Sequence, residues 1–249
     1  MILSSYEDMY RGKTIVIVGC GYSINNLSEY DMSLINACCS IGTNQSYIKI
    51  KSNYYMSGHF HHTAMQHKFG NGDMCFFQGE PHNFFDSDEY SDVTTLTNIN
   101  VVGDYGWLPK ITDSNFKLVG AEQIAFSATH MAYILGAKRI VYVGFDFSAQ
   151  GHFYNNNDVL LDILKENSKY LMDNYYGINS FINEDIDDFF RLNFDANINI
   201  NKFRNSTDII NKFKYYIDTL KRNDIEVYSI HDNVLIDIGA TKINIEDII

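Results

Sequence analysis

The amino-acid sequence predicts an α/β fold: a doubly wound, Rossmann-like, mostly parallel sheet that carries a variable, lid-like insertion. Three observations lead there. Two runs, Thr14 to Val18 and Arg139 to Val143, are short, β-branched and almost wholly apolar, as strands covered on both faces of a parallel sheet must be. Each is followed at once by a glycine, Gly19 or Gly144. A helical pattern of small and apolar residues immediately precedes the second run, which is the alternation that builds a parallel sheet.

The remaining elements follow in order. Strands are expected around Cys39 to Gly42, Tyr54 to Ser57 and Met74 to Gln78, with stretches between them long enough for crossover connections. From Ala121 onward, Ile124, Ala125, Ala128, Met131, Ala132 and Leu135 fall at helical spacing, and Gly136 closes the helix. Its alanines would let it lie close against the sheet. A later helix, capped by Asn205 or Ser206, carries Ile209, Ile210, Phe213, Tyr216, Ile217 and Leu220 on one face, and Glu226 to Ser229 follow as a strand. Residues 155–200, rich in Asn and Asp, read as a variable insertion near the ligand. Its run from Glu184 to Phe190 fits either a solvated acidic helix face or a mobile lid. At 249 residues, with 45% hydrophobic content and only Pro81 and Pro109 as prolines, the chain shows no linker. Residues 1–249 are therefore expected to share one core as a single nucleotide-binding domain.

Composition excludes several functions. The formal charge is −12, and lysines such as Lys49, Lys51, Lys138 and Lys214 are scattered, so nucleic acid is not an expected partner. The first residues are acidic where a secretory signal needs a basic start, and no segment approaches the roughly 20 apolar residues that span a bilayer. A cytoplasmic protein without a membrane span is expected. Cys20, Cys38, Cys39 and Cys75 lack a CxxC spacing and read as reduced thiols. His59, His61, His62 and His67 cluster, but with no familiar ligand spacing and no completing carboxylate, so no metal site is assigned.

Residues that could carry chemistry gather at the expected strand ends. Gly19-Cys20-Gly21 follows a strand, as a phosphate-binding turn should. No third glycine follows, and no acidic residue ends the second strand, so the turn does not make a dinucleotide fingerprint. A plain tight turn fits it equally. Asn44 and Gln45, just past the second strand, supply amide donors and acceptors suited to a base or ribose, or to capping loop backbone. Asp146 lies at the carboxyl end of the Arg139 to Val143 strand, where open α/β sheets place ligands. His152 follows in the next loop, where an imidazole could act as general base, hold a phosphate, or simply be exposed.

These residues carry a family resemblance. VIVGCGYSINNL at 16–27, IGTNQSY at 41–47 and AFSATHMAYILGAKRIVYVGFDFSAQGHFY at 125–154 resemble, in order and spacing, bacterial CMP-sialic-acid-dependent lipooligosaccharide sialyltransferases. They also resemble the related motility accessory factors and hydroxymethylpterin pyrophosphokinase-like proteins. A weaker match runs from RNSTDI at 204–209 to the strand near Ser229, so the likeness covers most of the chain around a divergent middle. It implies that Gly19, Gly21 and Ser23 approach the donor phosphate or ribose, that Asn44 and Gln45 contact the cytidine nucleotide, and that Asp146 organises the strand end. Tyr154, with Ser148 where the sialyltransferases have a second tyrosine, would stabilise the departing phosphate. Cys20 stands where those enzymes have an asparagine, and Phe203 where they have the histidine that serves as base. His152 is then the nearest candidate for that role.

The resulting expectation is a glycosyltransferase that passes a sugar from a CMP-linked or similar nucleotide donor to a glycan or other hydroxyl acceptor. No cofactor is required, and assembly into a homo-oligomer is left open. A magnesium-dependent pyrophosphokinase-like enzyme, with Asp146 helping to hold the ion, is the alternative. A catalytically silent nucleotide-binding module is the third reading.

Overall fold

The computed structural model describes residues 3–58, 60–70, 74–78, 94–96, 98–99, 118–119, 124–147, 152–154, 157–174 and 207–249. In chain order the elements are β1 (Thr14–Val18), α1 (Glu29–Ala37), β2 (Cys39–Thr43), β3 (Tyr54–Ser57), α2 (Phe60–Phe69), β4 (Met74–Gln78), β5 (Thr94–Leu96), β6 (Asn98–Ile99) and β7 (Leu118–Val119). They continue with α3 (Ile124–Ile134), β8 (Arg139–Val143), α4 (Asp158–Asn174), α5 (Thr207–Arg222), β9 (Glu226–Ser229), α6 (Val234–Asp237) and β10 (Thr241–Lys242).

Eight strands form one sheet in the order β10-β9-β8-β1-β2-β3-β4-β5, and every neighbouring pair in it is parallel. The sheet is thus wholly parallel where the sequence reading expected it mostly so. β6 and β7 pair separately. From β1 the chain builds outward to β5, then returns to lay β8 against the other side of β1 and builds outward again. That reversal is the doubly wound topology.

Strand periodicity divides the core into two layers. Along β1, Ile15 and Ile17 enter one buried cluster, while Val16 and Val18 enter the other, because successive side chains leave opposite faces of a strand. β8 repeats the pattern, with Ile140 and Tyr142 on the first face and Val141 and Val143 on the second. The first face is covered by α3, through Ala125, Ala128 and Ala132, and by α5, through Phe213 and Ile217. The second is covered by Leu34 and Ile35 of α1, Ala64 and Met65 of α2, and Leu164 of α4. Ser28 opens α1 with a capping box, its hydroxyl accepting from the Asp31 N–H at 3.1 Å while Asp31 accepts from the Ser28 N–H at 2.8 Å.

α4 changes the account of residues 155–200. Its Leu164 is fully buried and Ser168 nearly so, and Asn167 donates to the Tyr47 hydroxyl at 3.1 Å. The expected lid-like insertion therefore begins as a helix packed into the second layer, since an amphipathic face with a buried leucine belongs to a core and not to a mobile cover. Residues 175–200, including the run from Glu184 to Phe190, lie outside the described residues, as do the proposed caps Asn205 and Ser206. No described helix is long and apolar enough to cross a membrane.

β8 ends at Gly144 in the left-handed region, with φ +73°. A β-carbon there would stand 2.6 Å from Ile24 Cδ1. Gly144→Ala is therefore expected to destabilise the fold by about 1–3 kcal/mol through backbone strain and a clash. Urea unfolding should show a lower midpoint at an unchanged slope, and an unchanged midpoint would contradict the argument.

Candidate functional site

β1 and β8 flank the point where the order of winding reverses, and in open parallel sheets the crevice at the carboxyl edge there is where ligands bind. Asp146 bridges it. One carboxylate oxygen accepts the Ser23 N–H at 2.7 Å and the other accepts the Ser23 hydroxyl. The loops are further stitched by backbone bonds, Gly19 N–H to Val143 O at 2.8 Å and Gly21 N–H to Gly144 O at 2.7 Å.

This geometry revises why the turn needs its glycines. Neither Gly19 nor Gly21 has positive φ; Gly21 is extended at φ −65°. A β-carbon on Gly21 would instead stand 2.6 Å from Gly144 O and 2.7 Å from the Asp146 carboxylate. Close approach of the two loops is what excludes a side chain. The N–H groups of Gly19, Gly21 and Ser23 are all paired inside the protein, where they join the two loops.

Cys20 links this turn to the next strand end. Its thiol donates to Thr43 O at 3.3 Å, and Thr43 Oγ1 donates to Val18 O at 3.0 Å. Burial pushes the thiol up to about 12, partly offset by hydrogen bonds from the backbone of Gln45 and Ser46, so it stays protonated and unreactive. The amide pair beyond β2 divides. Gln45 is buried, with its Oε1 4.0 Å from the Cys20 sulfur and its Nε2 without a hydrogen-bond partner among the described residues. Asn44 is half-buried at the carboxyl edge in the left-handed region, φ +48°.

His152 is drawn onto the glycine turn. It forms an antiparallel bridge with Gly21, the Phe153 N–H donates to Cys20 O at 3.0 Å, and His152 Nδ1 lies 3.2 Å from the same carbonyl. A carbonyl only accepts, so in this contact Nδ1 is the protonated nitrogen, and Nε2 is the one whose protonation would decide the charge of the ring. Asn25 secures this segment by donating to Phe153 O at 2.8 Å while accepting from Lys49 Nζ at 3.0 Å. Tyr154 is only 1% exposed, and its ring stacks on His152 with centroids 5.1 Å apart. It braces the imidazole from within the second core layer. Ser148 and Phe203 lie outside the described residues.

His231, just past β9, joins the same edge from the far side of β8. Asn233 ties its loop across by donating to Phe145 O at 3.1 Å and to Ser229 Oγ at 3.0 Å. Burial lowers the His231 pKa below its usual 6.5, assisted by Lys242, against the opposing pull of Asp146 and Asp232. Sequence spacing could not place this residue, because it meets Asp146 only through the β8–β9 pairing. The presence of a histidine directly after a predicted strand was the one available signal. Among the described residues no three His, Cys, Asp or Glu side chains gather to hold a metal.

No protein-family model matches this chain, and no curated protein matches it.

Two predictions follow from these contacts. A histidine whose folded pKa is depressed contributes stability that is present above its unfolded value and lost as the pH falls below it. Melting temperature should therefore decline as pH drops through 6.5, and His231→Gln should flatten that decline. An identical acid limb in the variant would show that His231 is not its source. Tyr154→Phe keeps the bracing ring and is expected to preserve the position of the His152 ring signals in an NMR spectrum. Displaced signals would mean that the hydroxyl, not the stacked face, holds the site.

Proposed function

We propose that this crevice binds a nucleotide-activated sugar, of the CMP-linked kind, and that the protein is a glycosyltransferase in which His152 is the general base. The observation that carries the reading is the fixed tautomer of His152, whose Nδ1 is committed to Cys20 O and whose basic nitrogen is therefore Nε2. In the reaction an acceptor hydroxyl attacks the anomeric carbon, the bond from that carbon to the donor phosphate breaks, and the hydroxyl proton passes to Nε2. Nucleoside monophosphate departs. Asn44 supports the nucleotide end of the reading, since it stands at the carboxyl edge beside the turn that holds His152. The resemblance to CMP-sialic-acid-dependent enzymes adds the sugar class.

The magnesium-dependent alternative asks Asp146 to hold an ion. Both of its oxygens already accept hydrogen bonds from Ser23, which favours a role in joining loops. Transfer is the reading that uses the residues as they stand.

Thermal-shift screening against CMP, UDP, GDP, ADP and ATP, each with and without magnesium, is the decisive comparison, because a ligand that binds only the native state raises its melting temperature. CMP is expected to stabilise the chain without metal. Stabilisation by ATP only with magnesium would transfer the assignment to the pyrophosphokinase class. In a donor-hydrolysis or transfer assay His152→Ala should slow turnover by about 100-fold or more and abolish the acidic limb of the pH–rate profile. Full activity in that variant would remove His152 from the mechanism. CMP binding by a parent protein that turns over no nucleotide sugar would leave a binding module.

A further inference from the structure

Asn44 adopts a backbone conformation that an L side chain enters at some cost, and the structure shows what pins it there. Its φ is +48°, a region that asparagine visits more readily than most residues but that still needs support from its surroundings. The support comes from Gln66 on α2. This side chain is fully buried, and its Nε2 donates to Asn44 O at 2.7 Å and, more weakly, to Met56 O at 3.3 Å. One carboxamide thus clamps the turn after β2 to the end of β3. The Ser57 hydroxyl completes the arrangement by donating to Asn44 Oδ1 at 3.1 Å.

The consequence for recognition is specific. The bond from Ser57 orients the Asn44 amide by its Oδ1, which makes its NH2 group the donor offered to a ligand, and no described residue takes that group up in a hydrogen bond. We propose that Gln66 is a positioning residue of the nucleotide site, holding Asn44 in its left-handed turn so that the Asn44 NH2 donates to an acceptor oxygen of the ligand, a pyrimidine carbonyl or a phosphate oxygen. The inference rests on the nucleotide reading of the crevice, but its first half, the clamp itself, is a property of the free protein. Glutamine serves here because it is neutral and donates two N–H bonds from one nitrogen to two carbonyls. A glutamate in its place would put a charged acceptor against both. Helical spacing in Phe60–Phe69 gives no hint of this role, since the residue is recognised only by what its amide reaches.

The test uses the full chain, with CMP as the probe. In the free parent, backbone carbon shifts and the three-bond amide coupling of Asn44 should report left-handed φ. Gln66→Met preserves side-chain length and removes the donor, so the same signals should move toward the right-handed or extended average. CMP affinity should fall about fivefold, the expected effect of losing one well-placed hydrogen bond. Ser57→Ala, which leaves the backbone clamp intact, should keep φ and still weaken CMP by a few-fold, because the freed amide can rotate. If Gln66→Met does not fold, Gln66→Glu, which keeps the side-chain shape and replaces the donor with an acceptor, supplies the same backbone and CMP readouts. An unchanged Asn44 backbone in Gln66→Met overturns the clamp. A shifted backbone with undiminished CMP affinity, or CMP binding in the parent that leaves the Asn44 NH2 signals unmoved, overturns the positioning role. If the parent takes up no CMP at all, the nucleotide reading fails, and the proposed donation to a nucleotide fails with it. The backbone signals of Gln66→Met then decide separately whether the clamp exists.

Discussion

The carboxylate of Asp146 holds together the loops that follow β1 and β8. Both loops lead into helices of the second core layer, α1 and α4, and run side by side at the strand ends, joined by backbone bonds from Gly19 N–H to Val143 O and from Gly21 N–H to Gly144 O. Two hydrogen bonds from a single serine, Ser23, one from its N–H and one from its hydroxyl, add a side-chain clasp to that backbone pairing. The rest of the site is assembled around that clasp: Gly21 donates to Gly144 O beside it, and His152 lies against Cys20 O in the same turn. The cost is a carboxylate within the crevice. Charge-assisted bonds offset it, being roughly twice as strong as neutral ones.

A second layer of fixing comes from groups that never face the ligand. Cys20, Thr43 and Val18 connect the turn after β1 to the end of β2, and Gln66 connects the end of β2 to the end of β3. Lys49 and Asn25 hold Phe153 O from the other layer. The ends of β8, β1, β2 and β3 are thus bound each to the next by a side chain, where the sheet's own hydrogen bonds have stopped. Rigid placement of this kind is what a site needs if donor and acceptor are to meet in one geometry.

Much of this fold could be read from the sequence because its signals are local. β1 and β8 are continuous apolar runs, and alternate residues of each enter opposite core layers, so a parallel, doubly covered sheet follows from composition over five residues. α3 announces itself by alanines at helical spacing. α4 does not, because Asn and Asp around it mask a face on which, among the described side chains, Leu164 and Ser168 are the well-buried ones. The site was legible in its membership and not in its wiring. Glycine after a strand suggested an anion turn, whereas the loop contacts show a steric demand from Gly144 and Asp146 some 120 positions away. Gln45 and Asn44 are adjacent in sequence and were read as a pair, yet the turn sends one side chain inward and leaves the other at the edge. Long-range partners decide such matters, and a single sequence does not carry them.

Electrostatics narrows the ligand further. The chain bears a formal charge of −12, Asp146 sits in the crevice, and the cation bonded to its supporting network is Lys49, whose pKa burial lowers. Among the described residues a polyanion would meet the Asp146 carboxylate with little cationic compensation, since neutral amides stabilise charge far less than a guanidinium or a metal does. The phosphodiester of a CMP-linked sugar carries one negative charge, to which a sialic-acid donor adds a separate carboxylate, and each asks for little more than hydrogen-bond donors. The inventory of the edge, Asn44 with its amide and His152 with its committed Nδ1, suits that demand. It also suits departure of a monophosphate, because a leaving group met chiefly by hydrogen bonds is not retained as a chelate would be. Among the described residues this edge is therefore better matched to the phosphodiester of the proposed donor than to a polyanion.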